Sequence, residues 1–179
     1  MFPLGTVLFP GSVLPLHVFE KRYQELTNYC LQNETQFGIV LIEKGHEVGG
    51  GEVRASVGCM ADIIQHQRFP DGRSNLVVLG TSKINVERWT PDDPYPTALV
   101  ADVVESSSSS SLDRALEVLR RLCAFSRAAE SGGYRLQQID EKAVAVGVGV
   151  DELTYRIADL TPFGPFDRQR VLTAPGSEE

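Results

Sequence analysis

Apolar residues follow two different spacings along the chain, which predicts a strand-rich part followed by a helix-rich part. The opening run, FPLGTVLFPGSVLPLHVFEKRY at residues 2–23, is apolar and broken by prolines before it turns to charged residues. Within it, GTVLF and SVLPLHVF predict two short buried strands, with Pro10 and Gly11 forming the corner between them. An amphipathic helix lying on a sheet is predicted next, because apolar residues recur there at helical spacing: Tyr23, Leu26, Cys30 and Leu31.

The following residues, up to about position 105, predict more strands. FGIVLI is a compact apolar strand, and the glycine-rich EKGHEVGGGEV after it predicts a mobile loop. ASVGCMADIIQHQRF and NLVVLGTSKINVERW are rich in β-branched residues, and Pro70, Asp71 and Gly72 between them supply a turn. These two runs therefore predict a long hairpin. TALVADVVE, after the proline-rich TPDDPYP, predicts one more strand.

Six consecutive serines at 106–111 separate this part from a helical one. Serines without apolar neighbours bury little surface, so the tract is interpreted as a flexible linker. The next segment, LDRALEVLRRLCAFSRAAE, keeps its apolar residues on one helical face and ends at Gly132-Gly133. Shorter helices are predicted around 138–147, 150–160 and 165–173. We therefore predict an α+β chain with a β-rich domain at 1–105, a linker at 106–111 and a helical region at 112–179.

Composition narrows the classes of protein that fit this pattern. The 179 residues are 42% hydrophobic, as in ordinary globular chains, and the formal net charge of −7 argues against a general nucleic-acid binder. Cys30, Cys59 and Cys123 lie far apart without a CxxC pair, which indicates reduced, mostly buried thiols in a cytoplasmic protein. Prolines interrupt the opening run, no Lys or Arg precedes it, and no later run approaches the ~20 apolar residues of a membrane helix. We therefore predict neither a signal peptide nor a membrane partner.

The sequence contains only weak candidates for catalytic or metal-binding residues. The sequence contains no GxSxG elbow, no GxxxxGK[ST] phosphate loop and no HExxH helix. His46, Glu47 and Glu52 are of metal-ligating types, but a glycine-rich loop lacks the rigidity that a metal site needs, so we expect no metal and no cofactor. His17 and His66 lie in strand-like runs and are interpreted as structural. A flexible serine tract cannot hold a nucleophile beside its base, so no catalytic residue is predicted.

Three pieces of the sequence carry a specific resemblance to a known family. FPLGTVLFPGSVLPLHVFEKRY, FGIVLIEKGHEVGGG and VGCMADIIQHQRFPDGRSNLVVLG follow, in order and spacing, the pattern of the Lon protease N-terminal domain, from Phe2 to about Trp89. The resemblance implies a PUA-like β-barrel with one packed helix, also found in cereblon, followed by a C-terminal helical region. It also implies a domain that selects or tethers polypeptide substrates for a protease.

The sequence departs from the full-length Lon pattern in several places. It has no ATPase phosphate loop and no room for the serine-lysine peptidase module in 179 residues, so we predict a stand-alone, non-catalytic member rather than an enzyme. Where the family commonly has an arginine after the LVVLG glycine, this chain has Thr81, Ser82 and Lys83. The sequence runs from MFPL to APGSEE, where related chains usually continue into another helix, so we expect it to be a shortened form.

The start of the first helix is the candidate contact surface. Forming the strands and the helix accounts for most residues of the opening run. It does not require the polar residues at the start of the helix, which lie beside two aromatic residues. The candidate peptide-binding residues are Phe19, Lys21, Arg22, Tyr23, Gln24 and Glu25. A plain solvated helix face is the alternative interpretation.

Three functions remain open from the sequence. The first is a polypeptide-binding module or adaptor that takes an unfolded or extended polypeptide and works beside a protease or chaperone. The second is an RNA-binding PUA-like protein, although a shared fold does not imply function and the acidic balance argues against nucleic acid. The third is a small-ligand or metal-binding protein that uses the GHEVGGGE loop.

Overall fold

A computed structural model describes residues 1–47, 50–104, 109–133 and 138–174 of the chain. Its described elements, in chain order, are β1 (Phe2–Leu4), β2 (Val13–Val18), α1 (Lys21–Asn33), β3 (Phe37–Lys44), β4 (Val53–Arg68), β5 (Ser74–Thr90), β6 (Thr97–Asp102), α2 (Ser109–Ser131), α3 (Glu141–Ala145), α4 (Val150–Leu160) and α5 (Pro165–Thr173). A strand-rich part thus precedes a helix-rich part. Residues 48–49 of the predicted loop and residues 106–108 of the serine tract lie outside the described residues.

The six strands form one sheet in the order β1-β3-β4-β5-β2, with β6 paired to β5. β1 runs parallel to β3, and the other pairs are antiparallel. The long β4–β5 hairpin occurs where it was predicted, and Gly72 in its turn has φ +89°, a backbone region that glycine enters without a Cβ penalty. The hairpin forms the centre of the sheet, and β1 and β2 lie at the two ends of the order.

The opening run differs from its prediction at GTVLF, which is not a strand. The first strand is Phe2–Leu4 instead, and it pairs in parallel with Ile39–Leu41 of β3. The residues after it are buried on two sides: Leu8 belongs to the core under α1, whereas Val7 and Phe9 belong to the core under the C-terminal helices. An irregular segment can present consecutive side chains to both cores in this way. The predicted corner is present, since Gly11 has φ +80° and its N–H donates to the Gly80 carbonyl at 2.9 Å.

The first core lies between α1 and the sheet. Tyr23, Leu26 and Cys30 of the helix are buried against strand residues of the same cluster. These are three of the four residues whose spacing predicted the helix, and Leu31, the fourth, is 39% exposed. α1 ends at Asn33 and is capped by Glu34, which has a left-handed φ of 50° and donates its backbone N–H to the Cys30 carbonyl.

The C-terminal helices pack on one another and on the sheet. Ala115, Leu119 and Cys123 of α2 are buried against Leu153 and Ile157 of α4. The helix begins at Ser109 rather than Leu112, and Ser111 is buried, so part of the predicted linker is helical.

A second core joins α4 and α5 to the sheet. Tyr155 and Leu172 lie in it with Phe9 and Leu41. Phe9 is fully buried, with its ring 5.3 Å from that of Tyr155 and the Arg168 guanidinium 4.6 Å above it. The helical part thus covers one side of the strand-rich part.

The three thiols are free and buried, which gives a labelling prediction. Burial raises the pKa of Cys59 to about 12 and also raises that of Cys30, so these two thiols carry little reactive thiolate at pH 8. We expect iodoacetamide to modify the native protein on the order of 10² times more slowly than the chain in 6 M guanidinium, where three labels should appear by mass spectrometry. Fast labelling of the native protein, or a Cys30–Cys59 bond in protein purified without oxidant, would contradict this.

Candidate functional site

A cavity of about 320 Å³ lies where the two end strands of the sheet meet the start of α1. β1 contributes Phe2 and Leu4, and β2 contributes five consecutive residues, 14–18. Phe19, Glu20 and Tyr23 close it from the helix side, and Thr6 and Glu47 complete the lining. Most of these side chains are apolar, and the carboxylates of Glu20 and Glu47 are the acidic groups among them. The cavity therefore suits an apolar ligand that carries a few polar or basic groups.

The Tyr23 ring forms a rigid wall of the cavity. It is 3% exposed and lies between the Phe2 ring, stacked at 4.0 Å, and the Arg22 guanidinium, 4.5 Å from its centroid. Burial raises the pKa of Tyr23 to about 12, which keeps the phenol neutral across the physiological range. Its hydroxyl is buried and has no hydrogen-bond partner among the described residues.

Arg22 connects the helix start to the loop after β3. Its Nε donates to Glu20 Oε2 at 3.2 Å, and its Nη2 donates to the Glu47 carbonyl at 3.1 Å. The Glu47 carboxylate accepts the backbone N–H of Gly5. These bonds hold both carboxylates of the cavity in place, and the single guanidinium leaves the group Glu20, Arg22 and Glu47 with a net negative charge.

The sequence-predicted contact residues divide into three groups. Phe19 is 51% exposed and lines the cavity, while Tyr23 lines it as a buried wall. Arg22 and Gln24 are half-buried and hold local structure, since Gln24 Nε2 donates to the Phe19 carbonyl at 2.9 Å. Lys21 and Glu25 are exposed but lie outside the cavity lining. Phe19 and Tyr23 therefore lie together at the cavity, whereas the charged side chains of Lys21 and Glu25 lie outside its lining.

The β2 residues of the cavity were missed by the sequence reasoning. Leu14, Leu16 and His17 line it, whereas the predicted contact surface was limited to Phe19 and the start of the helix. One signal was available in Pro15, because a proline inside a strand usually marks the edge of a sheet, where a missing N–H costs no ladder bond. His17 Nδ1 lies 2.7 Å from Asn75 Oδ1, so its side chain has a structural partner.

The candidate metal residues have other partners. Glu47 accepts from Gly5, and Glu52 accepts from Arg54 Nε at 2.7 Å. Among the described residues, no group of three or more His, Cys, Asp or Glu side chains is placed to hold a metal ion. His66 Nε2 lies 3.2 Å from Ser74 Oγ, as expected of a structural histidine.

A second cavity of about 520 Å³ lies on the β4–β5 hairpin. Its lining is mainly amide and apolar side chains, among them Gln65, Gln67, Asn75 and Val77. It contains no carboxylate or ammonium group that could orient a charged ligand, so it is the weaker candidate.

Comparison with solved structures identifies the class of fold. The chain superposes on a Lon N-terminal domain protein from Xanthomonas campestris with a TM-score of 0.67 and 24% identity, covering 98% of this chain and 89% of that one. The N-terminal domain of Mycobacterium avium complex Lon protease gives a TM-score of 0.54 and 19% identity, with 95% and 94% covered. The part of the chain that the structure describes has one six-stranded sheet and five helices, and this mixed α/β architecture is that of Lon N-terminal domains.

Sequence comparison defines the family. Residues 1–179 match the family model of the ATP-dependent protease La (LON) substrate-binding domain. The chain belongs to this family. Among its relatives, Lon protease of Parabacteroides distasonis is 28% identical over 114 residues, which are 63% of this chain and 14% of that protein. Lon protease 2 of Myxococcus xanthus is 29% identical over 107 residues, 59% of this chain and 13% of the relative. The chain thus spans about one seventh of the length of these proteases.

The described helices include none that is long and apolar enough to cross a membrane. The longest of them, α2, carries arginines along its exposed side, among them Arg114, Arg120 and Arg121.

Proposed function

We propose that this chain binds unfolded or extended polypeptide in the cavity between β1, β2 and the start of α1, and does so without chemical turnover. The observation that carries the proposal is the cavity itself, which has apolar walls, an exposed Phe19 at its rim and the fixed Tyr23 ring as its wall. An apolar groove with few convergent polar groups fits side chains of varied sequence. Membership in the Lon substrate-binding family supports a polypeptide as the ligand.

The proposal describes a binding module or adaptor rather than an enzyme, acting in the cytoplasm beside a protease or chaperone. The family match is to a substrate-binding domain. We further propose that the sheet curls into a PUA-like barrel, since its two end strands line the same cavity. The division into a β-rich domain at 1–105 and a helical region at 112–179 belongs to the same proposal.

The acidic groups of the chain argue against the two alternative functions, RNA binding and small-ligand or metal binding. A nucleic-acid site needs clustered basic residues, but the chain carries a net charge of −7 and the cavity carries Glu20 and Glu47. A small-ligand or metal site in the GHEVGGGE loop would need its carboxylates free, whereas Glu47 and Glu52 are hydrogen-bonded within the protein.

Replacing Phe19 with alanine tests the proposal. Half of the Phe19 side chain is exposed, so Phe19→Ala should weaken binding of a polypeptide about tenfold while changing stability little. The probe is fluorescein-labelled ribonuclease, reduced and carboxamidomethylated so that it stays unfolded, and the measurement is fluorescence anisotropy.

Phe125→Ala is the matched control, because Phe125 is 57% exposed but lies on α2, away from the cavity. It should bind the probe like the wild type. Absence of binding by the wild type would refute the polypeptide role, and equal affinities for the two variants would refute the cavity as the site.

A further inference from the structure

The backbone of β2 has one hydrogen-bonding edge that its neighbour does not use. The N–H of Gly80 donates to the Ser12 carbonyl at 2.9 Å, which directs that carbonyl toward β5 and the N–H of Val13 away from it. Antiparallel pairing then alternates along the strand, so Val13, Pro15 and His17 direct their backbone groups outward. Among the described residues β2 pairs with β5 alone. The outward edge offers two N–H donors and three carbonyl acceptors, because Pro15 has no N–H.

The cavity lies along this edge rather than over one face of the sheet. Successive side chains of a strand point to opposite faces, so a cavity on one face would be lined by every second residue. This cavity is lined by five in succession: Leu14, Pro15, Leu16, His17 and Val18. Because side chains from both faces of the sheet border the cavity, the cavity must lie beside the backbone of β2. The far side of the same space is formed by β1, the strand at the opposite end of the sheet order.

We propose that an extended polypeptide segment binds by adding to β2 as a further strand. This inference rests on the proposed function and specifies how the polypeptide is held. The segment exchanges backbone hydrogen bonds with Val13 and His17, which makes recognition largely independent of its sequence. Its alternate side chains enter the apolar space beside Leu16 and Phe19. Pro15 interrupts the pairing at its centre, which limits affinity and protects the edge from pairing with other copies of the chain.

Charge indicates which segments are preferred. Glu20 and Glu47 border the cavity, and Arg22 contacts both residues but carries one positive charge against two negative ones. A lysine or arginine beside the apolar residues of the segment would offset the remaining charge. The favoured ligand is therefore an extended run with alternating apolar residues and a basic residue near one end.

A proline substitution removes one outward N–H without breaking the ladder to β5. We expect His17→Pro to bind the fluorescein-labelled peptide KVTVTVK about fivefold more weakly than His17→Ala, which loses the same side chain but keeps the N–H. Conversely, Pro15→Val supplies the missing donor and should tighten binding about threefold relative to the wild type. Anisotropy titrations measure all four proteins, and circular dichroism checks that each is folded. Val13→Pro against Val13→Ala is a second pair, used if His17→Pro does not fold.

Changes in the peptide test the same inference on the wild-type protein. Two versions of the peptide are methylated at alternate backbone nitrogens, so that each version blocks one of the two hydrogen-bonding edges of the peptide. At least one of the two versions should bind about tenfold more weakly than the unmethylated peptide. The peptide EVTVTVE should bind more weakly than KVTVTVK, and the difference should shrink as salt is added. If the wild type binds unfolded ribonuclease but neither backbone change alters peptide binding, strand addition is wrong and the proposed function stands. If the wild type binds neither probe, both are wrong.

Discussion

Arg54→Ala is expected to lower the free energy of unfolding by about 3–5 kcal/mol. The Arg54 side chain is 10% exposed, and its guanidinium pairs with Glu52 and Asp92 and lies 4.6 Å from the Trp89 ring centroid. Its removal would leave the Glu52 carboxylate, which is 1% exposed, without its cation. A buried charge that loses its partner is strongly destabilising. Urea unfolding followed by Trp89 fluorescence and circular dichroism measures the change.

The pH dependence of this effect follows from Asp92. Arg54 holds the pKa of Asp92 below its ordinary value, mainly through their hydrogen bonds. A carboxylate with a lowered folded-state pKa adds stability above its unfolded pKa of about 3.9, and that contribution is lost as the pH falls through the folded value. The difference in the free energy of unfolding between the wild type and Arg54→Ala should therefore become smaller below about pH 4.

Arg73→Ala is the matched control for Arg54. Arg73 also pairs with an aspartate, Asp71, at 2.7 Å, but both side chains are about half exposed in the hairpin turn. Water and salt screen such a pair, so its loss should leave the unfolding midpoint unchanged within error. Equal destabilisation by the two substitutions would show that the Arg54 cluster contributes no more than a surface ion pair.

Gly80→Ala is expected to destabilise the protein by about 3 kcal/mol. A Cβ on Gly80 would lie 2.1 Å from the Phe9 carbonyl oxygen and 3.1 Å from Cys59 Sγ. The first contact is with backbone, which cannot rotate away, and Phe9 itself is fully buried. The opening segment would have to move off β5, and the bond from the Gly80 N–H to the Ser12 carbonyl would be lost with it. Urea unfolding at pH 7 gives the magnitude.

Gly149→Ala is the control for this substitution. Gly149 precedes α4 with φ −72°, and no atom lies within 4 Å of the Cβ it would gain. Gly149→Ala should lower the free energy of unfolding by less than about 1 kcal/mol, as do other substitutions at the start of a helix. If Gly80→Ala costs no more than Gly149→Ala, the close approach of the Phe9 carbonyl does not exist in solution.

Local patterns predicted most of the secondary structure. The hairpin was recognisable because a Pro70-Asp71-Gly72 turn separates two runs of β-branched residues, and α1 because Tyr23 and Cys30 recur at helical spacing. The parallel strand β1 was missed, since three residues containing a proline show no period. Burial of Phe9 was predicted, but the residues that cover it were not, because Tyr155 and Arg168 lie about 150 positions away.

The candidate site was predicted in part. The sequence pointed to the helix start, and it singled out Phe19 and Tyr23 as the aromatic residues there, but it could not decide which of the two is exposed. That depends on Phe2, whose ring stacks on Tyr23 from another strand. The cavity beside β2 depends on which strands pair, and pairing between distant segments leaves little trace in a single sequence. Pro15 was the available clue.

The segment from Val7 to Phe9 has a consequence for how this domain can change during evolution. Leu8 faces one core while Val7 and Phe9 face the other, so three adjacent residues serve two parts of the protein. A lineage that exchanged the C-terminal helices for an unrelated element would also have to change positions 7 and 9, because large apolar side chains there would otherwise meet water. We therefore expect the two parts to change together, even though a run of serines lies between them in the sequence.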